Sequence, residues 1–187
     1  AFDPEERADA LDLLGFRSQW VFPTFGLGLL RRAKTTAHLY QAASALNKAQ
    51  RAFCGADPRL IYIAFIPLDD PNEAQSLLDE ALRDGAGAVL VPSNAPGKER
   101  SPGHAVYDPF WLRLQEAGIP FTLHIGPGTM RQPKAFLNNG RERAPDLHGG
   151  GENLRFGDYT CIWYAPQMFL TAMVYDGVFE RFPGLRG

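Results

Sequence analysis

Asp70-Pro71-Asn72-Glu73-Ala74-Gln75-Ser76-Leu77-Leu78-Asp79-Glu80-Ala81-Leu82-Arg83-Asp84-Gly85-Ala86-Gly87-Ala88-Val89-Leu90-Val91 is the stretch that decides the fold. An aspartate side chain accepts from the free amides that open a helix, and proline tolerates the first helical position, where its missing N–H costs nothing. Ala74, Leu77, Leu78, Ala81 and Leu82 then recur at helical spacing and form one apolar face. Gly85 suits the left-handed turn that ends a helix, and Ala88-Val89-Leu90-Val91 is a short apolar run of strand type. The same order is written twice more. Asp3-Pro4-Glu5-Glu6 leads through Leu14-Gly15 to Trp20-Val21-Phe22, and Asp108-Pro109 leads through Phe110, Trp111, Leu114 and Gly118 to Pro120-Phe121-Thr122-Leu123-His124.

Between the first two units, an alanine- and leucine-rich segment from about Thr35 to Phe53 reads as a longer helix. It precedes Leu60-Ile61-Tyr62-Ile63-Ala64-Phe65-Ile66, whose β-branched and aromatic residues read as a strand. Helix and strand thus alternate four times, which implies a parallel sheet covered by its helices. After Ile125 the texture changes to Gly, Pro, Asn and charged residues. The stretch 127–166 is expected to be a long active-site loop or lid. A helix is expected to resume over Gln167 to Phe182, with a further strand due to start where the sequence stops. The whole of 1–187 is expected to be one domain. Four strands do not close a (β/α)8 barrel, which takes about 250 residues; the expectation is therefore an incomplete TIM barrel.

Composition narrows the function. Nineteen basic against twenty-one acidic residues, with neither sign in a long block, give no electrostatic case for nucleic acid or an anionic membrane. The most apolar stretch, Leu60 to Leu68, is interrupted by Pro67 and is far shorter than the ~20 residues of a membrane span. The N-terminal residues are acidic and polar, unlike a secretory or transit leader, so a cytoplasmic location is expected. Cys54 and Cys161 stand far apart outside any Cys-x-x-Cys pattern and are expected to be free thiols rather than a zinc or redox pair.

The strand ends carry the candidate chemistry, because parallel α/β folds gather their active sites at the C-terminal ends of the strands. His124 closes one such strand and is followed by Gly126-Pro127-Gly128, where the backbone turns away sharply. A neutral imidazole there suits a divalent metal, against the alternative of a hydrogen-bonded core histidine. Thr24, Asp69, Ser93 and Asn94 are weaker candidates for contact with substrate. For these the blander readings are helix-start chemistry at Asp69 and turn chemistry at Ser93-Asn94. In the long loop, His148 and Arg155 are further substrate-binding candidates, with Arg141 and Arg143 as additional guanidinium groups able to hold a carboxylate. His38 and His104 are weaker. Gly149-Gly150-Gly151 lacks the Lys-Ser/Thr partner of a phosphate loop. Phe22 and Trp111 read as packing, and Trp163 and Tyr164 as packing or a pocket wall.

Five words of the sequence, Ile66-Pro67-Leu68-Asp69-Asp70-Pro71, Gly85 to Pro92, Tyr107-Asp108-Pro109-Phe110-Trp111, Glu116 to Pro120 and Leu123-His124-Ile125-Gly126, follow one another in a familiar order. With Val178-Phe179-Glu180-Arg181-Phe182-Pro183 they give the chain a resemblance to the amidohydrolase-related family that includes aminocarboxymuconate-semialdehyde decarboxylase. The resemblance implies a TIM barrel, of which these strands are the family's second to fifth. It also implies a divalent metal, commonly zinc, held by a His-x-His pair on the first strand, a histidine on the fifth and an aspartate on the eighth. Only the fifth-strand histidine is matched, by His124. No His-x-His occurs in the sequence, so the other ligands are expected outside this stretch.

The leading expectation is accordingly a metal-dependent hydrolase, or a non-oxidative decarboxylase of the same family, acting on a small carboxylated substrate, in a protein that forms homo-oligomers. The alternative is a non-catalytic fragment that associates through open sheet edges. A Schiff-base aldolase is disfavoured because none of the expected strand ends carries a lysine.

Overall fold

The computed structural model describes residues 3–24, 28, 32–125, 133–138, 140–141 and 156–187. Helix α1 (Pro4–Leu14) precedes β1 (Gln19–Val21), α2 (Thr36–Cys54) precedes β2 (Leu60–Phe65), α3 (Pro71–Arg83) precedes β3 (Ala88–Pro92), and α4 (Asp108–Ala117) precedes β4 (Phe121–His124). After β4 come α5 (Phe156–Cys161), α6 (Tyr164–Tyr175) and α7 (Val178–Arg181). The four strands lie side by side in chain order, every pair parallel.

The Asp-Pro signals work as local chemistry requires in two of three places. Asp3 accepts from the Glu5 amide at 2.8 Å, and one Asp70 carboxylate oxygen accepts from the Asn72 and Glu73 amides at 2.9 and 3.0 Å. The third differs. A 3-10 turn at Ala105–Tyr107 runs straight into α4, so Asp108 is already helical and caps nothing; its carboxylate pairs with Arg181 at 2.9 Å instead. At the other ends, Gly15 and Gly118 hold the left-handed C-terminal turns of α1 and α4 at φ 68° and 67°.

Within the stretch expected as a loop, a 3-10 turn forms at Lys134–Leu137 and α5 forms at Phe156–Cys161. The following helix starts at Tyr164 rather than Gln167. It also breaks before Phe182. Gly177, at φ 68°, turns the chain between α6 and α7.

Alternation within the strands gives the sheet two distinct faces. Phe121 is buried and its ring lies 5.4 Å from that of Trp111 in α4, so Phe121 and Leu123 face the helices. Register extends this face through Val89 and Val91 to Tyr62, Ala64 and Ile66. Trp111 completes it: the indole is fully buried, meets Phe110 edge-on at 5.0 Å and donates to the Pro102 carbonyl at 2.9 Å. The opposite face carries Trp20, Phe22 and Thr24 from β1 and its extension, Ile63 and Phe65 from β2, Leu90 and Pro92 from β3, and Thr122 and His124 from β4.

That second face is concave. Strands at about 4.8 Å spacing would place β1 and β4 of a flat sheet about 14 Å apart. Yet Thr24 Oγ1, just past β1, lies 3.4 Å from His124 Nε2 at the end of β4, and the rings of Phe22 and His124 are 6.1 Å apart. The sheet has curled into half of a barrel, with the strand ends converging.

One buried polar group supports this curvature. β1 pairs with β2 only as far as Tyr62, so the Phe65 backbone faces no strand on that side. Asn47 of α2 takes the strand's place: its amide donates to the Phe65 carbonyl at 3.0 Å and its carbonyl accepts from the Phe65 N–H at 2.8 Å. On the outer edge of β4, the Phe121 amide donates to the Arg186 carbonyl at 2.9 Å, which brings the chain back beside the sheet after α7. No described helix is long and apolar enough to cross a membrane.

Candidate active site

The C-terminal ends of the four strands form one mouth, and His124 stands in it half-buried. Its Nδ1 lies 2.5 Å from the Ile125 carbonyl, which can only accept, so Nδ1 carries a proton and donates there. The Thr24 hydroxyl lies 3.4 Å from Nε2 across the concave face, within hydrogen-bond reach. Ser93, buried just beyond β3, donates to the His124 main-chain carbonyl at 3.2 Å and fixes the end of β4. Thr122, on the same side of β4, donates to the Val89 carbonyl at 2.9 Å.

These contacts sort the residues expected at the mouth. Thr24, Ser93 and His124 are brought together although 100 residues separate the first from the last. The Asn94 amide donates to the Ala95 carbonyl at 3.1 Å, as turn chemistry predicts. Asp69 follows β2 and leaves helix capping to Asp70. Its carboxyl is pushed above the usual range by burial, with Lys98 pulling the other way. The segment around Asp69 is held rigidly. The Tyr40 hydroxyl lies 2.8 Å from the Pro67 carbonyl and accepts from the Asp70 amide at 3.0 Å, while Tyr107 donates to the Leu68 carbonyl at 2.7 Å. Burial pushes the phenols of both tyrosines up, so they remain neutral donors at physiological pH.

Arg143, His148 and Arg155 lie outside the described residues. His104 turns its Nδ1 to the Val106 amide, and Trp163 and Tyr164 are exposed. A cavity of about 370 Å³ lined by Lys48, Arg51, Ala52 and Gly55 lies at the end of α2, on residues that do not belong to the mouth. The sequence reading assigned Phe22 to packing alone. Its period-two relation to Thr24 was the available sign that it shares the face of the site.

As a metal donor set the mouth is partial. An imidazole whose Nδ1–H is held by a main-chain carbonyl has the orientation of a ligating histidine, and a metal at Nε2 would take the place of the Thr24 contact. The described residues contain no group of three or more His, Cys, Asp or Glu side chains able to hold an ion. His124 therefore fits as one ligand, and this part of the mouth supplies no complete cage.

A family model described as amidohydrolase matches residues 1–186. The chain belongs to the amidohydrolase family. An amidohydrolase from Mycobacterium avium subsp. paratuberculosis K-10 is similar over 98% of this chain and 46% of its own, with 26% identity and a TM-score of 0.71. The 2,6-dihydroxybenzoate decarboxylase of Rhizobium superposes on 96% of the chain and 53% of its own, at 18% identity and a TM-score of 0.64. The IDCase of Metarhizium anisopliae superposes on 82% of the chain and 38% of its own, at 18% identity and a TM-score of 0.60. The amidohydrolase chain thus spans about half the length of these structures, as a partial TIM barrel should. No curated protein matches the sequence.

Proposed function

We propose that this chain supplies part of the catalytic barrel of a metal-dependent hydrolase of the amidohydrolase family acting on a small carboxylated substrate, with His124 as one metal ligand through Nε2. The observation that carries the reading is the imidazole itself, at a strand end, with Nδ1 committed to the Ile125 carbonyl and Nε2 facing the concave mouth. A divalent ion, with zinc the first choice for an imidazole donor, would polarise a substrate carbonyl or bring the pKa of bound water to about 7.

The chain's own residues orient the site. The Ile125 carbonyl fixes the tautomer of His124, Ser93 fixes the strand end that carries it, and Thr24 approaches Nε2 from β1. Phe22, Leu90 and Pro92 make the neighbouring wall apolar, which keeps water from competing for polar substrate groups. We assign substrate contacts to Thr24, Asp69 and Ser93, with His148 and Arg155 contributing from the 127–166 segment as the active-site loop. The proposed location is the cytoplasm.

The test is metal content. Zinc per chain, measured by mass spectrometry of the dialysed protein in its assembled form, is expected to fall at least tenfold in His124→Ala. Unchanged stoichiometry in the variant removes His124 from the site. Decarboxylation is the second reading, prompted by the likeness to 2,6-dihydroxybenzoate decarboxylase. Release of CO2 from a carboxylated substrate without incorporation of solvent oxygen would select it.

A further inference from the structure

His124 is held on three sides. Nδ1 lies against the Ile125 carbonyl, Ser93 ties the His124 main-chain carbonyl to the end of β3, and the Phe22 ring stands beside the imidazole at 6.1 Å. The fourth side is Nε2, where the Thr24 hydroxyl stands at 3.4 Å. The two partners are not equally fixed. His124 belongs to β4 and is registered on Pro92 of β3. β1 pairs with β2 only as far as Val21, whose carbonyl accepts from the Gln50 amide at 2.6 Å. Thr24 therefore lies three residues beyond the last rung of its ladder, where its side chain can change rotamer without breaking a bond between β1 and β2.

Nε2 offers one in-plane site, a lone pair or a proton, and serves one partner at a time. A zinc–nitrogen bond is about 2.0–2.1 Å long. An ion on the 3.4 Å line from Nε2 to Oγ1 would thus leave the hydroxyl about 1.3 Å away, where a zinc–oxygen contact needs about 2.0 Å. The hydroxyl contact and the metal bond exclude each other. We infer that Thr24 competes with the metal for Nε2 of His124 and so sets the affinity of the site without being a ligand itself. The inference rests on the reading of His124 as a metal ligand. A neutral hydroxyl is not among the imidazole, thiolate and carboxylate donors that hold zinc, so Thr24 gives way rather than joining the ion. Each ion bound then costs one hydrogen bond between side chains. Released from Nε2, the same hydroxyl is available to a substrate oxygen, in keeping with the substrate contact assigned to Thr24. Valine has nearly the shape of threonine without the hydroxyl, so at position 24 it removes the competitor and keeps the wall of the mouth.

The experiment is a zinc titration of the dialysed protein in its assembled form, in competition with a chromophoric chelator, for the parent, Thr24→Val, Thr24→Ser and His124→Ala. Thr24→Val is expected to bind zinc about fivefold more tightly than the parent, the worth of one ordinary hydrogen bond. Thr24→Ser keeps the hydroxyl and is expected to stay within about twofold of the parent. Nuclear magnetic resonance of the parent follows the same exchange without any variant: the His124 Nε2 and Thr24 methyl resonances are expected to move with one common midpoint as zinc is added. Thr24→Val that binds zinc no more tightly than the parent overturns the inference, and weaker binding would make Thr24 a support or a ligand. So does a Thr24 methyl resonance that stays in place while that of His124 moves, a result that stands even if Thr24→Val does not fold. Either outcome leaves His124 as a ligand so long as His124→Ala has lost about tenfold or more in affinity. Zinc binding unchanged in His124→Ala removes the ligand and the inference together.

Discussion

The same strands present two faces with opposite logic. On the convex face, Phe121, Val89, Val91, Ala64 and Ile66 are buried against helices, and the interactions there are dense and mutually determined. On the concave face, β4 presents His124 two residues past Thr122, and the extension of β1 presents Phe22 and Thr24; all are partly exposed. The convex face holds the half-barrel together by excluding water. The concave mouth is held by a few directional bonds, of His124 to Ile125 and Thr24 and of Ser93 to the His124 carbonyl. Adjacent residues of a single strand therefore divide between stability and chemistry, and substitutions should separate the two.

The largest effect is expected at Trp111. Truncation to alanine empties a fully buried volume, breaks contacts with Phe110 and Phe121 and leaves the Pro102 carbonyl without its donor. A loss of about 3–5 kcal/mol is expected in urea denaturation monitored by circular dichroism. A loss under about 1 kcal/mol would break the comparison, since the convex layer would then not be the seat of stability.

Asn47→Ala should come next. Both backbone groups of Phe65 would be left buried without partners, at a cost of about 2–4 kcal/mol by the usual penalty for such groups. Asn47→Leu, which keeps the volume, is expected to be no better. Rescue by leucine would mean that the side chain fills space and that β2 needs no substitute for the missing strand. The measurement is again the urea midpoint, at constant slope.

How far these features could be read without coordinates depends on whether they are periodic. The Asp-Pro, apolar stripe and glycine order placed α1, α3 and three of the four parallel strands, because capping and left-handed turns are local chemistry, and β-branched and aromatic composition placed β2. Asp108 escaped that reading because its carboxylate is taken by Arg181, a partner 73 residues away. Asn47 is one polar residue on an alanine-rich helix, and nothing local in the sequence shows that β1 stops short of Phe65. The same holds at the mouth. The position of His124 at a strand end was legible, but its contact with Thr24 depends on curvature, which arises from the whole sheet. The exposure of Trp163 and Tyr164 was hidden for a different reason, since an all-round apolar helix reads as core until its neighbours are known.

His124→Ala sharpens the comparison from the other side. The ring is partly exposed and lies beside Phe22 at the rim of the mouth, so stability should change by less than about 1 kcal/mol while metal content falls. Phe121→Ala, three residues earlier on the same strand, should do the reverse and lower the urea midpoint strongly. Thermal denaturation with zinc analysis on both variants checks the pair. If His124→Ala unfolds the protein, the ring is a structural bridge between β1 and β4 and the division of labour within β4 fails.

The smallest effect is expected at Asp69, where the mouth meets the buried layer. Burial holds its folded-state pKa above the unfolded value, despite the opposing pull of Lys98. A carboxyl shifted in that direction contributes stability that is complete below its unfolded pKa of about 4 and is lost as pH rises through the folded value. At pH 7 the charged Asp69 is thus a burden on the fold, and Asp69→Asn should raise the Tm slightly there. The advantage should disappear as the pH is lowered through the carboxylate range, because the parent then carries the same neutral group. A parent that is more stable than Asp69→Asn at pH 7 would mean that attraction to Lys98 outweighs burial. Asp69 would then belong to the directional bonding of the mouth rather than to the edge of the buried layer.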